Sequence, residues 1–295
     1  MLTPPQSLSA SPLSTGPDAS SAHAAVPLTD GDVVLVGAGK MGGALLEGWI
    51  GLGVAPARIA VIEPQPAPPV AALAARGLRI NPGAASLRPA AIVIAVKPQI
   101  APQIMPDVAA LMAPSTVTVS IMAGRTIAFL AAGLPDGAAV VRAMPNTPAA
   151  IGRGITVAVP NSAVSPAQRN LADALLAATG AVEWIDDESL MDAVTAVSGS
   201  GPAYVFLLAE SLARAGEKAG LPADLAARLA RATVAGSGEL LHRSPVDAAV
   251  LRQNVTSPGG TTAAALEVLM ASDGLDPLME RAIAAATKRG RELAG

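Results

Sequence analysis

The sequence contains no cysteine and only two histidines, His23 and His242. Without thiols, disulfide bonds, thiolate metal sites and a cysteine nucleophile are excluded. The shortage of histidine argues against a Ser-His-Asp triad and against a multi-histidine metal site, so we expect no bound metal. The chemistry of this protein must therefore come from other side chains, from the backbone or from a bound organic cofactor.

Aromatic and charged residues are also scarce. Aromatic residues make up 2% of the chain and charged residues 15%, and the formal net charge is −3. This composition provides neither a basic surface nor a platform for stacking bases, so we expect no nucleic-acid partner. Apolar residues make up 51%, but no stretch of about 20 continuous apolar residues occurs, so we expect no membrane partner.

The first thirty residues differ in composition from the rest of the chain. They are rich in Pro, Ser and Ala and contain neither Lys nor Arg. Because they lack the basic start and apolar centre of a signal peptide, we expect a cytoplasmic protein. Their composition is typical of a disordered extension, which we expect over residues 1–30.

The remaining chain divides into two parts by its apolar pattern. From Asp32 to about Val159, short runs of Val and Ile that end in Gly or Pro alternate with stretches long enough for crossover helices. Such runs are typical of parallel strands buried on both faces, and the alternation predicts an α/β doubly wound sheet of the Rossmann type. After about Pro166 we expect helices, apart from a brief strand at 181–185 that closes the sheet. We therefore predict a dinucleotide-binding domain over residues 31–165 and an all-α domain over 166–295.

A glycine-rich motif follows the first predicted strand. Gly37, Gly39 and Gly42 fit the pattern G-x-G-x-x-G, between that strand and a predicted helix. The first glycine permits a tight turn, the second lets a pyrophosphate approach, and the third lets the helix pack closely. The prediction is a cofactor-binding loop, and the alternative is a glycine-rich turn that binds nothing.

Glu63 stands at the end of the second predicted strand. A carboxylate in that place accepts hydrogen bonds from the ribose 2′-OH of NAD and repels the 2′-phosphate of NADP. No arginine follows it in E-P-Q-P-A-P-P. The residues therefore favour NAD, and the alternative is a solvated carboxylate at a strand end.

Three further motifs follow predicted strand ends or precede a helix. In A-V-K-P, Lys97 faces either the cofactor or an acidic substrate, or else only caps its strand. In R-A-M-P-N-T-P (142–148), Asn146 offers an amide to a ligand, and the alternative is a rigid connection between domains. For S-G-S-G-P-A-Y-V-F (198–206), helix packing is favoured over chemistry.

The last motif is V-T-S-P-G-G-T-T at residues 255–262. Gly259 and Gly260 precede a predicted helix, so backbone N–H groups converge there with the hydroxyls of Ser257, Thr261 and Thr262. This combination predicts a site for a carboxylate. The alternative is a capped helix start, although one cap needs fewer hydroxyls and glycines.

In this order and at these spacings, the five motifs resemble those of pyrroline-5-carboxylate reductases, over about residues 32–293. The resemblance implies a Rossmann domain followed by a helical dimerisation domain. It implies reduction of the C=N bond of L-1-pyrroline-5-carboxylate by hydride from NADPH or NADH, which is the last step of proline biosynthesis. It also implies a homodimer or a higher homo-oligomer such as a decamer.

The resemblance, together with the motifs, implies a role for each site residue. Glu188 and the 259–262 turn would bind the substrate, with Thr262 hydrogen-bonded to the ring nitrogen and Ser257 beside it as catalytic residues. The expected cofactor-binding residues are Gly37, Ala38, Gly39, Lys40, Met41, Gly42, Glu63, Ala95, Val96, Lys97, Pro98, Ile121, Met122, Ala123, Asn146 and Asn254.

The sequence departs from the family's pattern in two places. Glu63 stands where NADP-preferring members carry Ser or Arg, which puts a preference for NADPH in doubt. A substrate-contacting Glu before Leu251 is missing, and whether Asp247 replaces it is open.

Two other functions share some of these features. A β-hydroxyacid dehydrogenase has the same glycine-rich opening, but its catalytic lysine would have to be Lys218, whose surroundings match poorly. A nucleotide sensor would use the Rossmann fold for binding alone. The S-P-G-G-T-T segment argues against a sensor, because a sensor needs no site for a substrate carboxylate.

Overall fold

The computed structural model describes residues 31–294, and the extension expected over residues 1–30 lies outside this range. Eight strands form one sheet. The strands are β1 (Asp32–Val36), β2 (Ile59–Ile62), β3 (Arg79–Ile80), β4 (Pro89–Ile94), β5 (Val117–Ser120), β6 (Ala139–Met144), β7 (Gly154–Pro160) and β8 (Gly180–Trp184).

The order of the strands across the sheet is β3-β2-β1-β4-β5-β6-β7-β8. All neighbouring strands are parallel except β6 and β7, which are antiparallel. The segment between β6 and β7 contains only a 3₁₀ turn, Thr147–Ile151. It is too short for the crossover that parallel strands require. The order of the first six strands is that of a Rossmann fold, so the predicted doubly wound sheet is confirmed.

Helices cover both faces of the sheet. They are α1 (Lys40–Gly51), α2 (Pro68–Ala72), α3 (Ala101–Leu111), α4 (Ile127–Ala132) and α5 (Pro166–Ala177). In β1 the alternate residues Val33 and Leu35 pack with α1 and α5, whereas Val34 and Val36 pack with α3 and α4. The strands are continuous apolar runs because both of their faces are buried.

The strand order places β1 between β2 and β4. The chain adds β2 and β3 on one side of β1 and then adds β4 and the later strands on its other side. In open α/β sheets this reversal leaves a crevice at the carboxyl ends of the strands, and ligands bind there. The glycine loop follows β1 and the A-V-K-P segment follows β4. The fold therefore brings the two predicted cofactor loops to the same crevice.

The sheet extends beyond residue 165, where we expected the first domain to end. Helix α5 buries Leu171 and Leu175 under the sheet, and β8 pairs with β7. Strand β8 is the one predicted at 181–185. Our division into residues 31–165 and 166–295 stays a prediction of functional domains, but it separates α5 and β8 from the strands on which they pack.

The rest of the chain is helical, as predicted. Its helices are α6 (Met191–Val194), α7 (Gly201–Lys218), α8 (Ala223–Arg243), α9 (Ala248–Asn254), α10 (Thr261–Leu269) and α11 (Leu275–Ala294). A π-helical turn, Thr195–Gly199, joins α6 to the start of α7. Pro202 lies in the first turn of α7, as expected from the S-G-S-G-P motif. Helix α9 was not predicted.

The helical part exposes an unusual amount of apolar surface. Helices α7 and α8 pack against each other, with Gly216 close to Ala226. Their outward faces carry large apolar side chains, and Phe206 is 64% exposed and Leu208 57%. A monomeric protein rarely leaves such a continuous apolar surface in water. Within residues 31–294, no helix has the length and apolar character needed to cross a membrane.

Candidate functional site

The glycine loop turns the chain sharply from β1 into α1. Gly37 has a φ of 91°, in the left-handed region that favours glycine, and its N–H donates to the Ile62 carbonyl oxygen at 2.9 Å. Gly42 lies in the first turn of α1, and a Cβ there would overlap the carbonyl oxygen of Gly37. Gly42 is thus required by the close approach of α1 to the end of β1, whereas Gly37 is required by its left-handed backbone and by the nearby loop after β4.

The third motif glycine, Gly39, is exposed, and a Cβ built on it meets no atom within 4 Å. Gly39 is the N-cap of α1, and no side chain caps the helix there. The first N–H groups of the helix therefore point into open space and can donate to phosphate oxygens. These features fit the pyrophosphate of a nicotinamide dinucleotide, held by Gly37–Gly42.

Glu63 follows the last residue of β2 and reaches back to the glycine loop. Its Oε2 accepts a hydrogen bond from the N–H of Ala38 at 3.0 Å, and its Oε1 accepts one from Gln65 N at 3.1 Å. Each carboxylate oxygen has a second lone pair that can accept from a hydroxyl. Glu63 is therefore where a ribose-binding carboxylate is expected in a Rossmann fold.

The A-V-K-P segment lies beside the end of β1, and the 121–123 segment lies beside the end of β4. Ala95 N donates to the Val36 carbonyl at 2.7 Å, and Ile121 N donates to the Ile94 carbonyl at 3.0 Å. Lys97 is exposed, as is Ala123, whereas the side chains of Ile121 and Met122 are buried in the core. The 121–123 segment can therefore contact a cofactor only through its backbone and through Ala123.

Arg125 is a residue that the sequence analysis did not single out. Its Nε and Nη2 donate to the carbonyl oxygen of Pro98, at 3.1 and 2.8 Å, and its guanidinium lies 4.5 Å from the ring centre of Phe129. It thus ties the loop after β4 to the loop after β5. The only available signal was an arginine directly after a predicted strand end.

The R-A-M-P-N-T-P motif contributes a buried arginine to an ion pair with the half-buried Glu188. Arg142 is 5% exposed, and its Nη1 lies 2.8 Å from Oε1 of Glu188. The same oxygen accepts a hydrogen bond from Ile127 N at 2.8 Å. Because Oε1 is bound to two protein donors, only Oε2 of Glu188 remains for the predicted contact with the substrate.

The neighbours of this ion pair have structural partners of their own. Asn146 Oδ1 accepts from Ile155 N at 3.0 Å, which fixes the start of β7. Asp187 accepts hydrogen bonds from the hydroxyl and the N–H of Ser189, and these bonds lower the pKa of the Asp187 carboxyl. This segment is thereby held at the junction between the sheet and the helices.

The 255–262 segment forms a turn between α9 and α10. Gly259 has a φ of 68°, Gly260 is the N-cap of α10, and no side chain caps that helix. Ser257 and Thr261 are exposed and Thr262 is half-buried. The Gly260 N–H donates to the Ser257 carbonyl oxygen at 3.0 Å. The predicted site for a carboxylate therefore has the N–H groups from Thr261 onward and the hydroxyls together at one helix start.

The predicted cofactor residues and the 255–262 turn form two separate groups within one chain. Helices α9 and α10 make no extensive contact with the sheet or with the loops after its strands, among residues 31–294. Asn254, at the end of α9, is exposed and belongs to the second group. Lys218, the candidate acid of a hydroxyacid dehydrogenase, is also exposed, at the end of α7.

The fold and the crevice define a Rossmann oxidoreductase that binds a nicotinamide dinucleotide and carries a helical second part. Two family models match the chain. The model described as "NADP oxidoreductase coenzyme F420-dependent" matches residues 32–124, and the one described as "Pyrroline-5-carboxylate reductase dimerisation" matches residues 188–293. The first covers the predicted cofactor loops after β1, β4 and β5, and the second covers the 255–262 turn, the predicted substrate turn.

Whole-chain comparisons agree with these models. A pyrroline-5-carboxylate reductase of Pseudomonas aeruginosa is 41% identical over 265 residues, which are 89% of this chain and 96% of the relative. The chain belongs to the pyrroline-5-carboxylate reductase family and is an NAD(P)-dependent oxidoreductase.

Two solved structures support the same assignment. A reductase from Coxiella burnetii superposes with a TM-score of 0.82 at 31% identity, covering 90% of this chain and 99% of that one. A pyrroline carboxylate reductase from Plasmodium falciparum, solved with NADP bound, has a TM-score of 0.74 at 29% identity. That match covers 90% of this chain and 99% of that one.

The close approach at Gly42 makes a prediction about cofactor binding. Gly42→Ala is expected to lower the free energy of unfolding by about 1–3 kcal/mol and to weaken NADH binding at least about tenfold, because the methyl group overlaps the Gly37 carbonyl. Urea unfolding and titration of NADH fluorescence measure the two effects.

Gly43→Ala is the matched control, since its Cβ meets only the Ala38 carbonyl oxygen, at 3.9 Å. We expect this variant to bind NADH within about twofold of the natural protein and to be up to about 1 kcal/mol more stable. Equal losses in the two variants would contradict the account of the loop.

Proposed function

We propose that this protein reduces L-1-pyrroline-5-carboxylate to L-proline with a hydride from NADH. The family performs this reaction with NAD(P)H. The observation that carries the proposal is that one chain holds both a dinucleotide crevice and an uncapped, hydroxyl-rich helix start at 257–262. The reaction adds a hydride to the imine carbon and a proton to the nitrogen, so an electrophilic substrate meets a cofactor that donates two electrons.

The residues of the substrate turn have distinct roles in this proposal. The N–H groups at the start of α10, from Thr261 onward, hold the substrate carboxylate. Gly259 and Gly260 let it approach the backbone, while the Gly260 N–H donates to the Ser257 carbonyl. Thr262 hydrogen-bonds the ring nitrogen, and Ser257 supports it from the same turn. Glu188 contacts the nitrogen of the substrate through Oε2, because Oε1 already accepts a hydrogen bond from Arg142.

The proposed reaction makes few demands on acid–base chemistry. When bound, the reduced nicotinamide supplies the hydride. A cyclic imine is already electrophilic, and more so when protonated, so the protein has to orient the substrate and exclude water. The shortage of histidine is then no obstacle, and solvent or the substrate itself supplies the proton.

Glu63 is the reason that we propose NADH rather than NADPH. Its carboxylate lies at the glycine loop, where it can accept from a ribose hydroxyl and would repel a 2′-phosphate. Arg79, on β3, is directed towards Asp32 at the opposite end of the strands, with its Nη2 2.6 Å from Oδ1 of Asp32. The Plasmodium falciparum relative was solved with NADP bound, so the preference is proposed for this chain's own residues.

The exposed apolar faces support assembly with a second copy. The dimerisation model covers residues 188–293, and these residues carry the large exposed apolar side chains of α7 and α8. We propose a homodimer in which these faces are buried, because the hydrophobic effect favours removing them from water. A larger ring such as a decamer and a cytoplasmic location also belong to the proposal, and both rest on the family resemblance.

The first prediction concerns turnover and the choice of cofactor. With pyrroline-5-carboxylate, the purified protein is expected to oxidise NADH with a kcat/KM at least about tenfold higher than that for NADPH. In Glu63→Gln the ratio of the kcat/KM for NADH to the kcat/KM for NADPH is expected to fall by about 10- to 100-fold, because the charge that repels the 2′-phosphate is gone. Loss of absorbance by the reduced nicotinamide measures both.

Two outcomes would count against this proposal. No turnover with either cofactor, from folded protein that binds one of them, would contradict the reductase activity. Turnover with a preference for NADPH would leave the reaction intact but would show that Glu63 does not face the ribose.

A second prediction concerns the hydroxyl of Thr262. Thr262→Ala is expected to lower kcat/KM by about 10- to 1,000-fold through the loss of one hydrogen bond in the transition state. Thr256→Ala is the control, since the Thr256 hydroxyl donates to the Arg252 carbonyl of the preceding helix, α9, at 2.7 Å. An unchanged kcat/KM in Thr262→Ala would remove Thr262 from the mechanism.

A third prediction concerns the oligomer. Phe206→Glu is expected to shift the sedimentation coefficient from that of a dimer or larger assembly to that of a monomer, because a buried charge without a partner is costly. Ala75→Glu, an exposed position beside the sheet, is expected to leave the assembly unchanged. A natural protein that sediments as a monomer would overturn the proposed dimer.

A further inference from the structure

An unusual backbone conformation lies next to the proposed ribose site. Asn81 has a φ of 47°, and it is the one non-glycine residue with a positive φ in the described part of the chain. Proline follows it, and a following proline favours extended backbone with negative φ. Asn tolerates the left-handed region better than most residues, but the conformation still costs free energy. A strained residue persists where its surroundings require that geometry.

The side chain of Asn81 holds the backbone of Glu63. Asn81 Oδ1 accepts from Glu63 N at 2.9 Å, and Asn81 Nδ2 donates to the Glu63 carbonyl oxygen at 2.9 Å. The N–H of Asn81 donates to the Val61 carbonyl at 2.8 Å. The asparagine amide therefore continues the pairing of β2 with β3 by one more residue, beyond the end of both strands.

Glu63 depends on this contact because the ladder stops before it. Strand β2 ends at Ile62, and β3 pairs with β2 at Ala60 and Val61 only. Pro64 follows Glu63 and has no N–H to donate. Both polar groups of the Glu63 backbone are bound by the Asn81 amide, so Asn81 fixes the point from which the carboxylate extends.

The carboxylate in turn bridges to the cofactor loop. Glu63 Oε2 accepts from Ala38 N, and the Ile62 carbonyl accepts from Gly37 N. The hydrogen-bonded connection therefore runs from Asn81 through Glu63 to the residues that turn β1 into α1. A shift of the Glu63 backbone would move its carboxylate relative to the ribose bound at that loop.

We propose that Asn81 is a positioning residue that sets the cofactor preference by holding Glu63 against the glycine loop. It would touch neither substrate nor nicotinamide, and it would act only on discrimination at the ribose 2′ position. The inference rests on the proposed preference of this protein for NADH. It explains why the chain keeps a strained asparagine, which has both an acceptor and a donor, at an exposed turn.

The test measures dissociation constants by nucleotide fluorescence, without turnover. The ratio of the Kd for NADPH to the Kd for NADH is compared in the natural protein, Asn81→Gly and Glu63→Gln. Glycine accepts the φ of 47° and lacks the amide, so Asn81→Gly removes the clamp without adding strain. We expect this variant to fold and its ratio to fall by about 3- to 10-fold.

Asn81→Asp is a second variant, which keeps the acceptor for Glu63 N and loses the donor to the Glu63 carbonyl. Because its carboxylate adds a charge that also repels a 2′-phosphate, its ratio is expected to stay above that of Asn81→Gly. In the Glu63→Gln background, Asn81→Gly is expected to change the ratio by less than about twofold, because the charge that Asn81 positions is already absent.

The outcomes separate this inference from the proposed function. If the natural protein prefers NADH and Glu63→Gln loses that preference while Asn81→Gly retains it, the role of Asn81 is overturned and that of Glu63 stands. If Asn81→Gly weakens the binding of both nucleotides equally, Asn81 only supports the fold and the inference is again overturned. If the natural protein has no preference for NADH, the proposed preference fails, and the inference fails with it.

Discussion

The close approach of helix α1 to the end of strand β1 is the constraint on which the site depends. Gly42 lies against the carbonyl oxygen of Gly37, and no residue with a Cβ fits there without a shift of the backbone. This contact points the start of α1 into the crevice beside β4. The free N–H groups of the helix, the loop after β4 and the carboxylate of Glu63 then lie together at the carboxyl ends of the strands.

A second constraint arises from the helical part, which does not bury its own apolar surface. Ala226 and Ala230 are the only buried residues of helices α7 and α8, while Phe206 and its neighbours stay in contact with water. The turn at 257–262 belongs to this part and makes no extensive contact with the crevice. Assembly and catalysis are therefore linked in the proposed function, since the same helices provide the dimer surface and the substrate turn.

Most of the sheet could be predicted from the sequence because its strands are buried on both faces. Continuous runs of Val and Ile are typical of strands in the centre of a parallel sheet. Such runs form β1, β2, β4, β5 and β6. Strand β3 has only two residues, and helix α9 only seven. Segments of that length carry too little periodicity to be recognised. The glycine loop and Glu63 were predictable because their spacing follows from the geometry of one βαβ unit.

The contacts between distant segments could not be predicted in this way. The pairing of Arg142 with Glu188 joins residues from a strand and from a later turn, and nothing in either local sequence indicates the other. Arg125 and Asn81 bind backbone carbonyl and N–H groups of other loops. Their roles therefore depend on contacts that the local sequence does not indicate. Burial of Ile121 and Met122 likewise limits how their segment can meet a cofactor.

The central claim is that this protein transfers a hydride from a reduced nicotinamide to the imine carbon of pyrroline-5-carboxylate. The most direct test uses NADH that carries deuterium in both positions at C4 of the nicotinamide, followed by mass spectrometry of the product. The account predicts proline with a single deuterium, located at C5. Proline without deuterium, or no proline from folded protein that binds NADH, would contradict it.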